Sequence, residues 1–216
     1  MIRLFVFDLD GTLVDSLHDL SDSANELLAS CGGAPLEMDA VGRMVGEGAA
    51  ALVARVFAAA GVEKPVDALD RFLAIYDTRL LNHTRAYEGV PEVISELGAR
   101  ASLAVLTNKP IEATRRILDG LNLSRLFDAD AVLGGDGPHP RKPDPAGLQT
   151  LCARVNVAAS DAMLVGDSLV DWETARHGGT QICLARYGFG FWEFPHDRLD
   201  GRERLIDSPG DLLTFS

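Results

Sequence analysis

The sequence predicts an α/β fold, a doubly wound, Rossmann-like parallel sheet core with an inserted all-helical domain. Short apolar runs that stop at Asp, Thr or Gly recur along the chain, and from residue 87 onward they alternate with segments of helical spacing. Strand and helix in strict alternation imply parallel strands joined by crossover helices. Residues 16–86 break that rhythm: they are rich in Ala and Leu, keep helical periodicity and contain no convincing strand. The expected organisation is residues 1–15 with 87–216 as the core and 16–86 as a helical module carried on it.

Taken in order, residues 2–7 are nearly all apolar and break at Asp8-Leu9-Asp10-Gly11-Thr12, the pattern of a buried strand ending in a loop. The insert then shows helical apolar spacing around Leu20, Leu27 and Leu28, over 50–60 and over 69–81. Its entry at Ser16-Leu17 and its exit at Tyr87-Glu88-Gly89-Val90-Pro91 are the predicted linkers and hinges, with Gly89 and Pro91 supplying a turn and a helix start. Strands are expected over 101–106, 129–133, 162–165 and 181–184, and helices over 91–98, 111–121, 145–155 and 170–177.

Composition narrows the function classes. A net charge of −12 opposes binding to nucleic acid or to an anionic membrane surface, both of which need a basic face. No stretch approaches the roughly 20 apolar residues of a membrane helix. The first seven residues are too short for a secretory signal, and Cys31, Cys152 and Cys183 are scattered without metal-binding spacing, so a cytoplasmic protein with free thiols is expected. A small anionic substrate remains compatible with this balance, and so do both a monomer and a homodimer.

In an open α/β sheet, ligands bind beyond the carboxyl ends of the strands. The residues predicted there are Asp8, Asp10, Thr107, Asn108, Asp136, Asp167 and Asp171, with Lys142 in a loop before a helix. Singly, each has a structural explanation: Asp167 or Ser168 as a helix cap, Thr107 as another, Lys142 as a solvated charge. Together, so many carboxylates at one edge repel one another unless a cation is present, and an oxygen-only set without Cys or His suits Mg2+ better than zinc. Gly11, next to the Asp8-x-Asp10 pair, frees backbone N–H groups to cradle an anion.

Asp8-Leu9-Asp10-Gly11-Thr12-Leu13-Val14-Asp15, Thr107-Asn108, Lys142-Pro143-Asp144-Pro145 and Gly166-Asp167-Ser168-Leu169-Val170-Asp171, in that order, resemble the four motifs of the haloacid dehalogenase-like hydrolase superfamily. The resemblance spans essentially the whole chain, and it reads residues 16–86 as a type I (C1) helical cap domain. It implies a Mg2+-dependent phosphatase in which Asp8 is the nucleophile and forms an aspartyl phosphate. Asp10 would be the acid/base, Thr107 and Asn108 would bind the phosphoryl oxygens, and Lys142 would clamp the charge. The metal would lie on Asp8, Asp167 and the Asp10 carbonyl, with Asp171 at or just behind it.

Within that family, Val41-Gly42-Arg43-Met44-Val45-Gly46-Glu47-Gly48 resembles the substrate-facing cap segment of phosphoglycolate phosphatases, as does Thr107-Asn108-Lys109-Pro110. Gly46, Glu47 and Gly48 would receive the substrate at a helix N-terminus, with Arg43 assisting. The implied reaction is hydrolysis of 2-phosphoglycolate, a small phosphorylated metabolite. A β-phosphoglucomutase-like phosphomutase, a sugar phosphatase and a non-catalytic binding module are the alternatives, the last disfavoured because every reactive residue is present. The cluster Phe189, Phe191, Trp192 and Phe194 reads as a flap over the core, with a dimer contact as the second reading.

Overall fold

Leu4, Phe5, Val6 and Phe7 are all buried, so the first strand, β1 (Leu4–Phe7), lies inside the molecule with both faces covered. The computed structural model describes residues 1–215. After β1 come β2 (Val14–Asp15), α1 (Leu17–Ala29), α2 (Met38–Gly42), α3 (Ala49–Ala60), α4 (Ala68–Asp77) and β3 (Arg85–Ala86). Then helix and strand alternate: α5 (Val90–Gly98), β4 (Ser102–Leu106), α6 (Ile111–Gly120), β5 (Val132–Leu133), α7 (Ala146–Arg154), β6 (Ala162–Gly166), α8 (Leu169–Gly178), β7 (Gln181–Ala185) and β8 (Arg204–Ile206).

The main sheet has the order β5-β4-β1-β6-β7-β8 and every pair is parallel. Alternation along β1 builds the two cores: Phe5 and Phe7 join the layer of α5 and α6 and the insert, whereas Leu4 and Val6 face Leu148 and Leu151 of α7 and Ala175 of α8. The chain leaves β1 toward β4 on one side and returns to β6 on the other. That reversal places a crevice at the carboxyl end of β1, between β4 and β6.

Five details differ from the expectation. The strand expected over 129–133 is a 3-10 turn at Ala129–Ala131 followed by the two residues of β5, because only Val132 and Leu133 in that run favour the pleat. β8 was invisible because Arg204 and Leu205 are exposed and Ile206 alone is buried, leaving no apolar run. The insert also contains the short helix α2, and α4 stops at Asp77 instead of reaching Leu81. Finally, β2 and β3 pair antiparallel, Val14 with Ala86 and Asp15 with Arg85, so the chain enters and leaves the helical segment through a two-stranded ribbon too short to show a period.

One buried carboxylate fixes that return. Asp19, in the first turn of α1, accepts the His83 N–H at 3.0 Å, the Thr84 N–H at 2.8 Å and the Thr84 hydroxyl at 2.7 Å. Asp19→Ala strands these donors, and we expect it to lower unfolding stability by on the order of 3 kcal/mol, read as a shifted urea midpoint at unchanged slope. A loss below about 0.5 kcal/mol would show that water replaces the carboxylate without cost.

Candidate active site

At the end of β1 the loop closes tightly, with the N–H groups of Leu13 and Val14 donating to the Leu9 carbonyl at 2.9 and 3.0 Å. Gly11 holds a left-handed φ of 85°, and a Cβ there would collide with the Asp167 carboxylate, so glycine serves both the turn and the close approach of the β6 loop. Asp8 and Asp167 are thereby drawn together. Asp171 joins them from α8, and one carboxylate oxygen from each of the three lies within 4.8 Å of the others.

Lys142 is the cation facing this cluster. Its Nζ is 2.9 Å from Asp8 Oδ1 and 2.6 Å from Asp171 Oδ1, and all three side chains are buried. The other oxygen of Asp171 accepts the Ser168 N–H at 3.1 Å and the Ser168 hydroxyl at 2.6 Å, a capping box at the start of α8. Both Asp171 oxygens are therefore already engaged. Asp167 Oδ2 accepts the Gly190 N–H at 2.7 Å, while Asp8 Oδ1 has the Lys142 charge beside it but no hydrogen bond of good geometry.

Electrostatics follow from that burial. Desolvation, offset in part by Lys142, pushes the Asp8 carboxyl up to about 6, and Asp167 rises well above the usual carboxylate range through burial and then through Asp171 and Asp8. Burial pulls Lys142 down, but Asp171 and Asp8 outweigh it and hold the ammonium above its ordinary value. Three buried carboxylates against one lysine leave an excess of negative charge. The cluster's donors are all carboxylate oxygens, one from each of Asp8, Asp167 and Asp171 within 4.8 Å of the others, a set that fits a hard divalent cation.

Asp10 sits in a second cluster that sequence reading missed. Lys109 Nζ donates to both Asp10 oxygens at 3.0 Å and to the Tyr76 hydroxyl at 2.7 Å, and Ser16 Oγ donates to Asp10 Oδ1 at 2.5 Å. Burial pushes Tyr76 up to about 12, so its hydroxyl stays protonated. Lys109 follows Thr107-Asn108 directly, so its position beyond β4 was the available signal; Tyr76 comes from α4, and nothing in the local sequence marks it.

The remaining predicted residues divide. Thr107 and Asn108 line the same cavity of about 230 Å3 as Asp8 and Asp10, and Gly46 and Gly48 face it from the insert. Asn108 Nδ2 donates to the Lys142 carbonyl at 3.0 Å and to the Gly46 carbonyl at 2.9 Å, bridging the Lys142 loop to the helical segment. Arg43 and Glu47 do not reach the cavity: Arg43 turns to Glu193 at 3.5 Å and Glu47 pairs with Arg55, because both are exposed charges with closer partners outside. Asp136 accepts the Ile111 N–H at 2.9 Å and braces the start of α6. Phe189, Phe191 and Phe194 are buried and carry Gly190 to Asp167, with Trp192 half exposed, which is the flap arrangement.

Comparison with known proteins matches this arrangement to a family. The model of the haloacid dehalogenase-like hydrolases matches residues 5–185, which span the loops after β1, β4 and β6. The chain belongs to that family. A phosphoglycolate phosphatase of Rhodospirillum rubrum is 44% identical over 199 residues, covering 88% of this chain and 81% of the relative. One from Caulobacter vibrioides is 40% identical over 94% of this chain and 85% of its own length. A crystal structure described as a predicted phosphoglycolate phosphatase from Haemophilus somnus superposes with a TM-score of 0.89 at 30% identity, covering 99% of this chain and 97% of that one. This haloacid dehalogenase-like hydrolase is thus a phosphatase, and among its described residues no helix is long and apolar enough to cross a membrane.

Proposed function

We propose that this phosphatase hydrolyses 2-phosphoglycolate to glycolate and phosphate through a phosphorylated Asp8, with Mg2+ as its cation. The observation that carries the reading is the buried Asp8, facing the cavity with Lys142 2.9 Å from an oxygen that no hydrogen bond occupies. Asp8 and Asp167 would hold Mg2+, which when bound neutralises phosphoryl charge. Asp171 is assigned to holding Lys142, since both of its oxygens are taken.

In the first half of the reaction the Asp8 carboxylate attacks phosphorus, the ester P–O bond breaks, and the leaving alkoxide takes a proton from Asp10. In the second, water attacks the aspartyl phosphate, Asp10 receives its proton, and phosphate departs from a regenerated carboxylate. Lys142 supplies positive charge to the phosphoryl oxygens, and donors come from the Thr107 hydroxyl and from the backbone N–H of Asn108, whose side chain is committed to the Gly46 and Lys142 carbonyls.

Residues 16–86 act as the cap domain over the core of 1–15 and 87–216, moving about Ser16 and Gly89 beside the β2–β3 ribbon and excluding water when closed. Substrate choice rests on the relatives' activity and on α3, whose N-cap Gly48 has no side-chain capping bond and so leaves first-turn N–H groups for a carboxylate.

The test is phosphate release from 2-phosphoglycolate, glucose phosphates and p-nitrophenyl phosphate, with Mg2+ or with EDTA. Turnover should be strongest on 2-phosphoglycolate, stop in EDTA and return with Mg2+. Release from none of the three esters would overturn the reading, and a glucose phosphate preferred over 2-phosphoglycolate would overturn the substrate assignment.

A further inference from the structure

A second group of metal-binding side chains stands apart from the acidic cluster at Asp8. His18, in the first turn of α1, and His83, just before β3, stack with ring centroids 3.9 Å apart at an interplanar angle of 30°. Asp19 lies with them, and one ligand atom from each of the three falls within 4.8 Å of the others. Both histidines are exposed, whereas Asp19 is buried and held by its bonds to His83 and Thr84.

We propose that His18, His83 and Asp19 form a second metal site, taking a borderline transition-metal ion of the Zn2+ or Co2+ class and clipping the entry and exit of the helical insert together. The donor chemistry separates it from the first site. Two neutral imidazoles and one carboxylate select such ions over Mg2+, which prefers oxygen alone.

Geometry supports the assignment. In a tetrahedral sphere with ligand bonds of about 2.0–2.1 Å, donor atoms stand about 3.4 Å apart, so ring rotations at two exposed histidines suffice to close the site. Asp19 is pre-positioned: its Oδ1 accepts only the His83 N–H, while Oδ2 takes the Thr84 donors as well, so Oδ1 keeps a lone pair. The same bond pins the backbone of His83, which fixes where its imidazole can reach. Asp22 lies 3.3 Å from His18 Nδ1, the placement of a carboxylate that orients a metal-bound imidazole and leaves Nε2 for the ion. Because α1 follows β2 and His83 precedes β3, an ion here spans the two ends of the ribbon through which the insert joins the sheet.

The experiment titrates the metal-stripped full chain with Co2+ in excess Mg2+, following visible absorption and calorimetric stoichiometry. One equivalent with intense tetrahedral bands is expected for the wild type, and binding at least about tenfold weaker for His18→Ala and for His83→Ala. Both variants should hydrolyse p-nitrophenyl phosphate with Mg2+ as the wild type does, and Zn2+ should raise the melting temperature of the wild type only. Cobalt retained equally by both variants would belong to the cluster at Asp8 and would overturn the proposal, as would the absence of any uptake by the wild type under excess Mg2+.

Discussion

Asp8→Asn is expected to reduce phosphate release by a factor on the order of 10⁴ to 10⁶, the scale on which removal of an activated nucleophile acts. Asparagine keeps the volume and planarity of the side chain, so the packing around this buried position survives, but the amide carries no charge with which to attack phosphorus. The same variant should be more stable than the wild type when metal is absent. Asp8 titrates at about 6 in the folded protein against 3.8 ordinarily, so the folded chain binds this proton more readily than the unfolded one. Stability from this group therefore falls as pH rises from about 4 through about 6 and stays lower above. Asparagine removes that loss, and melting temperatures in EDTA should favour the variant above about pH 6. Activity within tenfold of the wild type would remove Asp8 from the nucleophile's role.

The parts of the site that could be read in the sequence are those in which one short run sets both the element and the residue at its end. Asp8, Thr107 and Asp167 each follow an apolar strand, and parallel pairing of β1 with β4 and β6 brings those ends side by side. Asp171 was legible as a residue but not as a partner. The structure adds the partners that the sequence did not give: Asp171 closes a capping box with Ser168 and accepts from Lys142. Lys109 was legible by its position beyond β4 but its partners were not, since Asp10 and Tyr76 lie 99 and 33 positions away and only packing joins them. Arg43 and Glu47 show the converse: a segment can lie against the cavity while its charged side chains turn outward to Glu193 and Arg55. In the fold, the missed strands are β8 and the β2–β3 ribbon, two or three residues long and held by backbone pairing rather than by an apolar face.

Lys142→Met should damage both folding and turnover, and the two losses should respond differently to metal. Methionine matches the length and apolar stem of lysine, so the change isolates the charge. It leaves Asp8, Asp167 and Asp171 buried within reach of one another with no cation between them. Removing one partner from a buried ion pair costs about 3–5 kcal/mol, and a deficit of that size is expected in EDTA at pH 8. The deficit should shrink as pH falls, because Asp8 and Asp167, both raised by burial, take up protons and relieve the repulsion. Saturating Mg2+ should restore much of the stability, since a ligand bound only by the folded state stabilises it by mass action. Turnover should stay reduced by about 10³-fold or more, because a transferring phosphoryl group loses a fixed positive charge that an ion on the opposite carboxylates does not replace. Equal melting of variant and wild type in EDTA at pH 8 would show that the three carboxylates are already neutralised without Lys142. Recovery of turnover with Mg2+ would assign the lysine to screening the acids from one another and not to the substrate.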